Sequence, residues 1–224
     1  MTDDDMNDTN DIAAAERRGD PDRIPAFVDA TFAIIMTILV LEIGVPSDLS
    51  EQSLREAIDE VGPTLIAWVI SFFLVGMYWV WHRDLFIKIR AVNRDLIWLN
   101  VIFLLPVSLI PFAASVLGDY HDEPIALHLY GTVLITVSVV RIGMYWYVSN
   151  RPKLLWAPIG PKERRLGIVS SCVPIVFYAS AMLVADAAHQ LSLVLYLIVP
   201  AFYFVMVTIL RDRPTTAEQA HNFT

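Results

Sequence analysis

Five polar side chains stand where the surrounding sequence is too apolar to leave them unexplained. Arg23 and Asp29 open the stretch RIPAFVDATFAIIMTILVLEI, which carries no further charge until Glu42, and His82, Asn100 and Arg141 interrupt later apolar runs. A charge inside hydrocarbon costs about 2.5–3.5 kcal/mol on insertion scales, so such a group faces a protein interior or a water-filled path. An acid, an imidazole and an amide in these surroundings either fasten helices together through hydrogen bonds or hold an ion or proton in passage. Asp29, His82 and Asn100 fall toward the same membrane face, which favours one buried network with His82 and Asn100 as candidate partners of Asp29. A permeation or proton site at Asp29 is the alternative. His82 is the member whose titration would make that network pH-sensitive. Arg23 and Asp29 lie nearly two turns apart, so direct pairing along one helix face is not expected. Arg141 is expected to snorkel toward the nearer end of its run or to pair with a carboxylate.

Catalytic motifs are missing from the chain. The histidines show neither HExxH nor His-x3-His spacing, and no GxSxG, Walker or Gly-rich dinucleotide turn occurs. Cys172 is the single cysteine, which leaves no intrachain disulfide and no Cys-based zinc site. No enzyme activity, cofactor or metal is expected. The net charge is −8, with neither a basic patch nor a stacking motif, so no nucleic-acid partner is expected either.

The elements that must position these groups are set by composition. Of 224 residues, 56% are hydrophobic and 18% charged, and the charges cluster between long apolar stretches. With a mean hydropathy of +0.54 this is the balance of an all-α integral membrane protein, its lipid bilayer serving as solvent. A helix needs roughly 20 apolar residues to cross about 30 Å of hydrocarbon. Six segments qualify, at about 25–46, 63–86, 96–118, 125–149, 166–186 and 191–211. Residues 1–24 are acidic and polar and read as a flexible tail instead of a signal peptide, and 212–224 form a second tail. With the N-terminus in the cytoplasm, nearly all Lys and Arg fall on the inner side, with Arg55 alone outside. The positive-inside rule then puts both termini in the cytoplasm and predicts a multi-pass protein of the plasma membrane.

Between the first two runs, Leu49, Leu54, Ala57, Ile58 and Val61 recur near helical spacing among Asp48, Glu51, Glu56, Asp59 and Glu60. A short amphipathic helix on the outer surface fits this pattern. Its acids either focus cations toward a pore mouth or simply form a solvated face.

At this point several pieces of sequence resemble one family. Arg23-x3-Phe27-Val28-Asp29-x2-Phe32-Ala33-Ile34, followed by Thr37-Ile38-Leu39-Val40-Leu41, resembles the R-x3-F-S-D-x2-F-A-I opening of the transmembrane protein 175 family of potassium channels. Gly76-Met77-Tyr78-Trp79-x2-His82, Leu99-Asn100-x2-Phe103-Leu104 and Leu109-Ile110-Pro111-Phe112 agree with it. The resemblance implies a subunit of six transmembrane helices without a re-entrant pore loop, whose first helix lines a central pore. Animal members carry two such units per chain, and this chain has room for one, which implies a homotetramer conducting K+ as its permeant ion. Val28 replaces the family's usual serine and removes one hydroxyl from the network of Arg23, Phe27, Asp29, Trp79, His82 and Asn100.

The TVGYG sequence of ordinary potassium channels is absent, so a channel built from this chain selects by another device. Ile34, Ile38 and Leu41 form one stripe at helical spacing, which in a four-fold bundle would stack aliphatic rings on the axis. The resemblance implies that Ile34 is the narrowest point and that Thr37 contributes a hydroxyl to selectivity. Such a stripe also suits plain packing or lipid contact. A secondary transporter and a non-conducting membrane scaffold are the alternative functions, the former wanting inverted repeats that residues 25–118 and 125–211 do not display.

Overall fold

The computed structural model describes residues 23–44 and 53–205, with side chains outside 53–60 and 204. Among the described residues seven α-helices follow one another: α1 (Arg23–Leu41), α2 (Ser53–Phe86), α3 (Arg94–Ser108), α4 (Ile110–Asp119), α5 (Pro124–Ser149), α6 (Pro161–Ala185) and α7 (His189–Val205), with a 3-10 turn at Pro152–Leu154. Among the described residues five stretches are long and apolar enough to cross a membrane: α1, Val61–Phe86, the α3–α4 pair Arg94–Asp119, α5 and α6. The apolar helix α7 is 17 residues long, and residues 206–211 of the expected sixth run lie outside the described residues. The chain is an all-helical membrane protein.

Two boundaries differ from expectation, for local reasons. The segment anticipated as a separate surface helix is, from Ser53 onward, the start of α2, which runs unbroken through Pro63 to Phe86. Asp48, Leu49 and Glu51, the side chains of Leu54 to Glu60, and both tails apart from Arg23 and Ile24 fall outside the described residues. The run expected at 96–118 is divided at Leu109, which ends α3 and precedes α4. Pro111 has no N–H for the carbonyl of Val107, and the amide of Leu109 bonds Pro106 O and Val107 O in its place.

Helix α5 is the central rod, packed on α3, α4 and α6, while α2 packs on α1, α4 and α7. In the core between α2, α5, α6 and α7 lie four fully buried tyrosines, Tyr78, Tyr130, Tyr178 and Tyr196. Their hydroxyls are satisfied within the protein, as they must be where water is excluded. Tyr78 shares hydrogen bonds of 3.3 Å with Ser138 and with Tyr178, Tyr130 bonds Ser71 at 2.8 Å, and Tyr196 donates to Leu127 O at 2.8 Å. Leu105, Ile125, Leu183 and many other apolar side chains face outward, a surface that suits lipid.

The two ends of the bundle differ in charge. At one end the α2–α3 and α5–α6 connections, rich in Arg and Lys, are stitched together. The amide of Arg90 donates to Leu154 O at 2.7 Å, that of Trp156 donates to Lys88 O at 3.0 Å, and Lys88 pairs with Glu163 at 2.8 Å. At the other end Asp122 sits between His121 at 3.3 Å and His189 at 3.4 Å, joining the α4–α5 and α6–α7 connections.

Candidate functional site

Helix α1 is held by one face only. Val28, Phe32, Ile35 and Leu39 recur at helical spacing and are buried against the rest of the subunit, Ile35 being 4% exposed. About 100° around the helix, Phe27, Ile34, Ile38 and Leu41 point away from it, with 57% of Ile34 and 78% of Leu41 exposed. The expected stripe therefore lies on the outward face, and Ile35, its neighbour in sequence, lies on the packed one. Two threonines share the outward side. Thr31 Oγ1 donates to Phe27 O at 2.9 Å and Thr37 Oγ1 to Ile34 O at 2.8 Å. With its proton committed to the helix backbone, each hydroxyl has only lone pairs left to offer.

Near the start of α1, Asp29 Oδ1 accepts a 2.8 Å hydrogen bond from Trp79 Nε1 on α2. One turn farther along α2, His82 Nε2 meets Asn100 Oδ1 of α3 at 2.8 Å. Asn100 Nδ2 donates to Leu96 O at 2.6 Å, which leaves its amide oxygen facing the imidazole and assigns the proton to His82 Nε2. The His82 ring is stacked on Phe86 and on Phe103, with centroids 4.3 Å and 5.9 Å away, and Phe103 meets Phe32 of α1 at 6.3 Å. The single network expected from sequence is thus two separate links. Asp29 pairs with Trp79 instead of His82 or Asn100, because it sits on the exposed side of α1, a turn away from the buried imidazole. Phe27 and Arg23 are exposed, and Phe27 takes part through its carbonyl.

Beside these links a cavity of about 300 Å3 opens at the basic end, lined by Pro25, Asp29, His82, Arg83, Arg90 and Trp156. Among the described residues no group of three or more His, Cys, Asp or Glu side chains could hold a metal ion. Arg141 departs from both sequence expectations. It is 4% exposed, donates through Nη2 to Ser171 O at 3.1 Å, and lies 5.1 Å from the centroid of the Trp81 ring. Neither snorkelling nor a carboxylate partner is seen, since Arg141 turns toward α6 and α2 in the bundle interior. The buried tyrosines were not singled out from sequence. Their signal was their depth, since membrane tyrosines otherwise collect at the interfaces.

The sequence that forms α1, α2 and α3 matches the model of a known family. The family model described as endosomal/lysosomal potassium channel TMEM175 matches residues 23–111, from the first residue of α1 into α4. Over those residues the chain is similar to the TMEM175 family. A Streptomyces collinus protein named a potassium channel is 31% identical over 132 residues, 57% of this chain and 64% of its own. A potassium channel of a Chryseobacterium strain is 36% identical over 118 residues, 52% of this chain and 59% of its own. The human endosomal/lysosomal proton channel TMEM175 is 25% identical over 189 residues, 84% of this chain and 36% of its own. The chain thus spans less than two thirds of each of these relatives. Its fold is that of the crystal structure of a TMEM175 homolog from Chamaesiphon minutus, with a TM-score of 0.73 and 20% identity over 84% of this chain and 98% of that one. The same TMEM175 fold is shared, at a TM-score of 0.55, with a crystal structure of MtTMEM175 bound to a nanobody fusion.

Proposed function

We propose that this chain is the subunit of a potassium-selective cation channel, four copies of which surround a pore lined by the outward face of α1. The observation that carries this reading is the division of α1 into a packed line, Val28 to Leu39, and an outward line of Ile34, Ile38 and Leu41. A helix so apolar, fixed along one face, needs a second surface for the other, and four-fold association gives it one on the axis. There the outward line becomes stacked aliphatic rings. Such rings exclude water when narrow and pass a cation when dilated. Thr37, one turn beyond Ile34, turns hydroxyl lone pairs toward an ion that has shed part of its hydration.

In this reading Asp29 and Trp79 fasten the inner end of the pore helix, while the stacked His82 and its partner Asn100 stiffen the scaffold behind Phe32. The basic end is cytoplasmic, both termini lie there, and the protein is an integral part of the plasma membrane with no enzymatic role. Support comes from the relatives named potassium channels and from the TMEM175 fold.

Purified protein in liposomes tests the reading. A channel passes K+ down its gradient without a coupled ion, and its mass in nanodiscs is that of four chains. Flux that demands a counter-transported ion would identify a secondary transporter, and a tight vesicle would identify a scaffold. A conducting monomer would rule out the shared axis.

A further inference from the structure

The cavity of about 300 Å3 at the basic end is walled by three separate parts of the chain. Pro25 and Asp29 come from the first two turns of α1, where Trp79 of α2 holds the Asp29 carboxylate, and Arg83 comes from the last turn of α2. Arg90 and Trp156 belong to the connections after α2 and α5. Those connections are fixed to each other by the Arg90 amide on Leu154 O at 2.7 Å and the Trp156 amide on Lys88 O at 3.0 Å. The cavity therefore lies where membrane-crossing helices begin and end, which is the level of lipid headgroups.

Its cations are free to act on something outside the subunit. At the same end Lys88 pairs with Glu163, and Arg164 donates to Asn150 Oδ1 at 2.7 Å. Arg83 and Arg90 are exposed, and among the described residues neither side chain has a hydrogen bond or an ion pair. Their guanidinium donors are open, and their long stems let both turn over the cavity they line. Of the formally charged side chains in the wall, the two arginines outweigh Asp29 by one positive charge. Beside them Ile87 and Trp156, also in the wall, are 59% and 70% exposed, an apolar rim next to a basic centre.

We infer that this cavity binds the headgroup of an anionic phospholipid from the leaflet at that end, its phosphodiester held between Arg83 and Arg90 and its glycerol and chains leaving over Ile87 and Trp156. Charge, chemistry and depth agree on this class. A phosphodiester carries the one negative charge that balances the wall, and guanidinium groups bind phosphate oxygens in pairs. Phosphatidylcholine has the same phosphate with a quaternary ammonium beside it, which two arginines repel. A soluble phosphodiester would make the same polar contacts but leave Ile87 and Trp156 against water. Asp29 stands about 140° around α1 from Ile34, so the cavity is off the outward line of that helix. The site is independent of the pore reading, and an absent ion flux and an absent lipid response are separate results.

Thermal melting of the whole protein in non-ionic detergent tests it, with phosphatidylglycerol, phosphatidylcholine and dimethyl phosphate as probes. Phosphatidylglycerol at saturation should raise Tm by about 5 °C. Phosphatidylcholine, which has the chains without the net charge, and dimethyl phosphate, which has the charge without the chains, should each give less than half of that. Arg83→Gln and Arg90→Gln should each remove most of the response, and either one decides the matter should the other fail to fold. Lys153→Gln removes an exposed cation at the same end but outside the cavity wall, and should keep the response. No shift with phosphatidylglycerol, an equal shift with phosphatidylcholine or with dimethyl phosphate, a response surviving either arginine substitution, or an equal loss in Lys153→Gln, the mark of diffuse surface charge, would each overturn the inference.

Discussion

The indole Nε1 of Trp79 donates to the Asp29 carboxylate across 2.8 Å, one turn before the His82–Asn100 pair, and it is a polar bond that ties α1 to α2. An indole N–H needs an acceptor but no negative charge. Asp29→Asn keeps an amide oxygen for it and should change stability little. Asp29→Leu and Trp79→Phe each remove the bond and should cost about 1 kcal/mol. Melting of the three variants in one detergent checks the order. Equal losses in all three would mean that the charge, not the bond, matters.

Adjacent isoleucines on α1 should behave oppositely. Ile34→Asn places amides on the outward line and should raise cation flux and alter the K+ to Na+ preference with little loss of stability. Ile35→Asn buries an amide at a position 4% exposed and should cost about 3–5 kcal/mol. Parallel flux and melting measurements decide this, and a permeation change confined to Ile35→Asn would put the pore on the wrong face of α1.

Thr37→Val is nearly isosteric and removes only the hydroxyl that bonds Ile34 O. It should leave melting unchanged within about 0.5 kcal/mol, as substitutions away from the packed face do. The K+ to Na+ preference should fall, read from reversal potentials under mixed ions. An unaltered preference would exclude the hydroxyl from selectivity.

At Gly118, α4 lies close against Thr64 of α2. A Cβ there would lie 2.8 Å from Thr64 Cα and 2.9 Å from Thr64 Oγ1, and the first of these is backbone that cannot swing aside. Gly118→Ala should therefore destabilise by about 1–3 kcal/mol. Gly143 lies within α5 with nothing within 4 Å of such a Cβ, and Gly143→Ala should stabilise by up to about 1 kcal/mol through helix propensity. Opposite shifts in melting temperature are expected. A neutral Gly118→Ala would mean that α2 and α4 separate easily.

Hydropathy pointed to the five long apolar stretches found among the described residues because a run of apolar residues is a property of consecutive positions. It missed the division at Leu109 because Pro106 and Pro111 leave the run equally apolar while moving its hydrogen bonds. It placed the apolar part of α2 at 63–86, close to Val61–Phe86, and read the helical spacing before it as a separate helix because the charges there interrupt the apolar run. That Ile34, Ile38 and Leu41 share one face followed from helical spacing, but which face of α1 points outward did not. The partner of Asp29 did not, since Trp79 and His82 lie one turn apart on α2 and only the axial offset of α1 against α2 chooses between them. Arg141 shows the same limit. Its sequence neighbours describe α5, whereas the atoms it touches belong to α2 and α6.

The polar tie between α1 and α2 lies near the start of α1 and makes that helix a lever. From Asp29 the helix reaches about 7.5 Å to Ile34 and about 18 Å to Leu41. A tilt of about 5° around the Trp79 contact would carry Leu41 about 1.6 Å sideways but Ile34 only about 0.65 Å, since displacement grows with distance from the pivot. Under the proposed four-fold arrangement the Leu41 ring would then answer to small motions of α1, while the Ile34 ring would need a larger swing or a rotation of the whole rod.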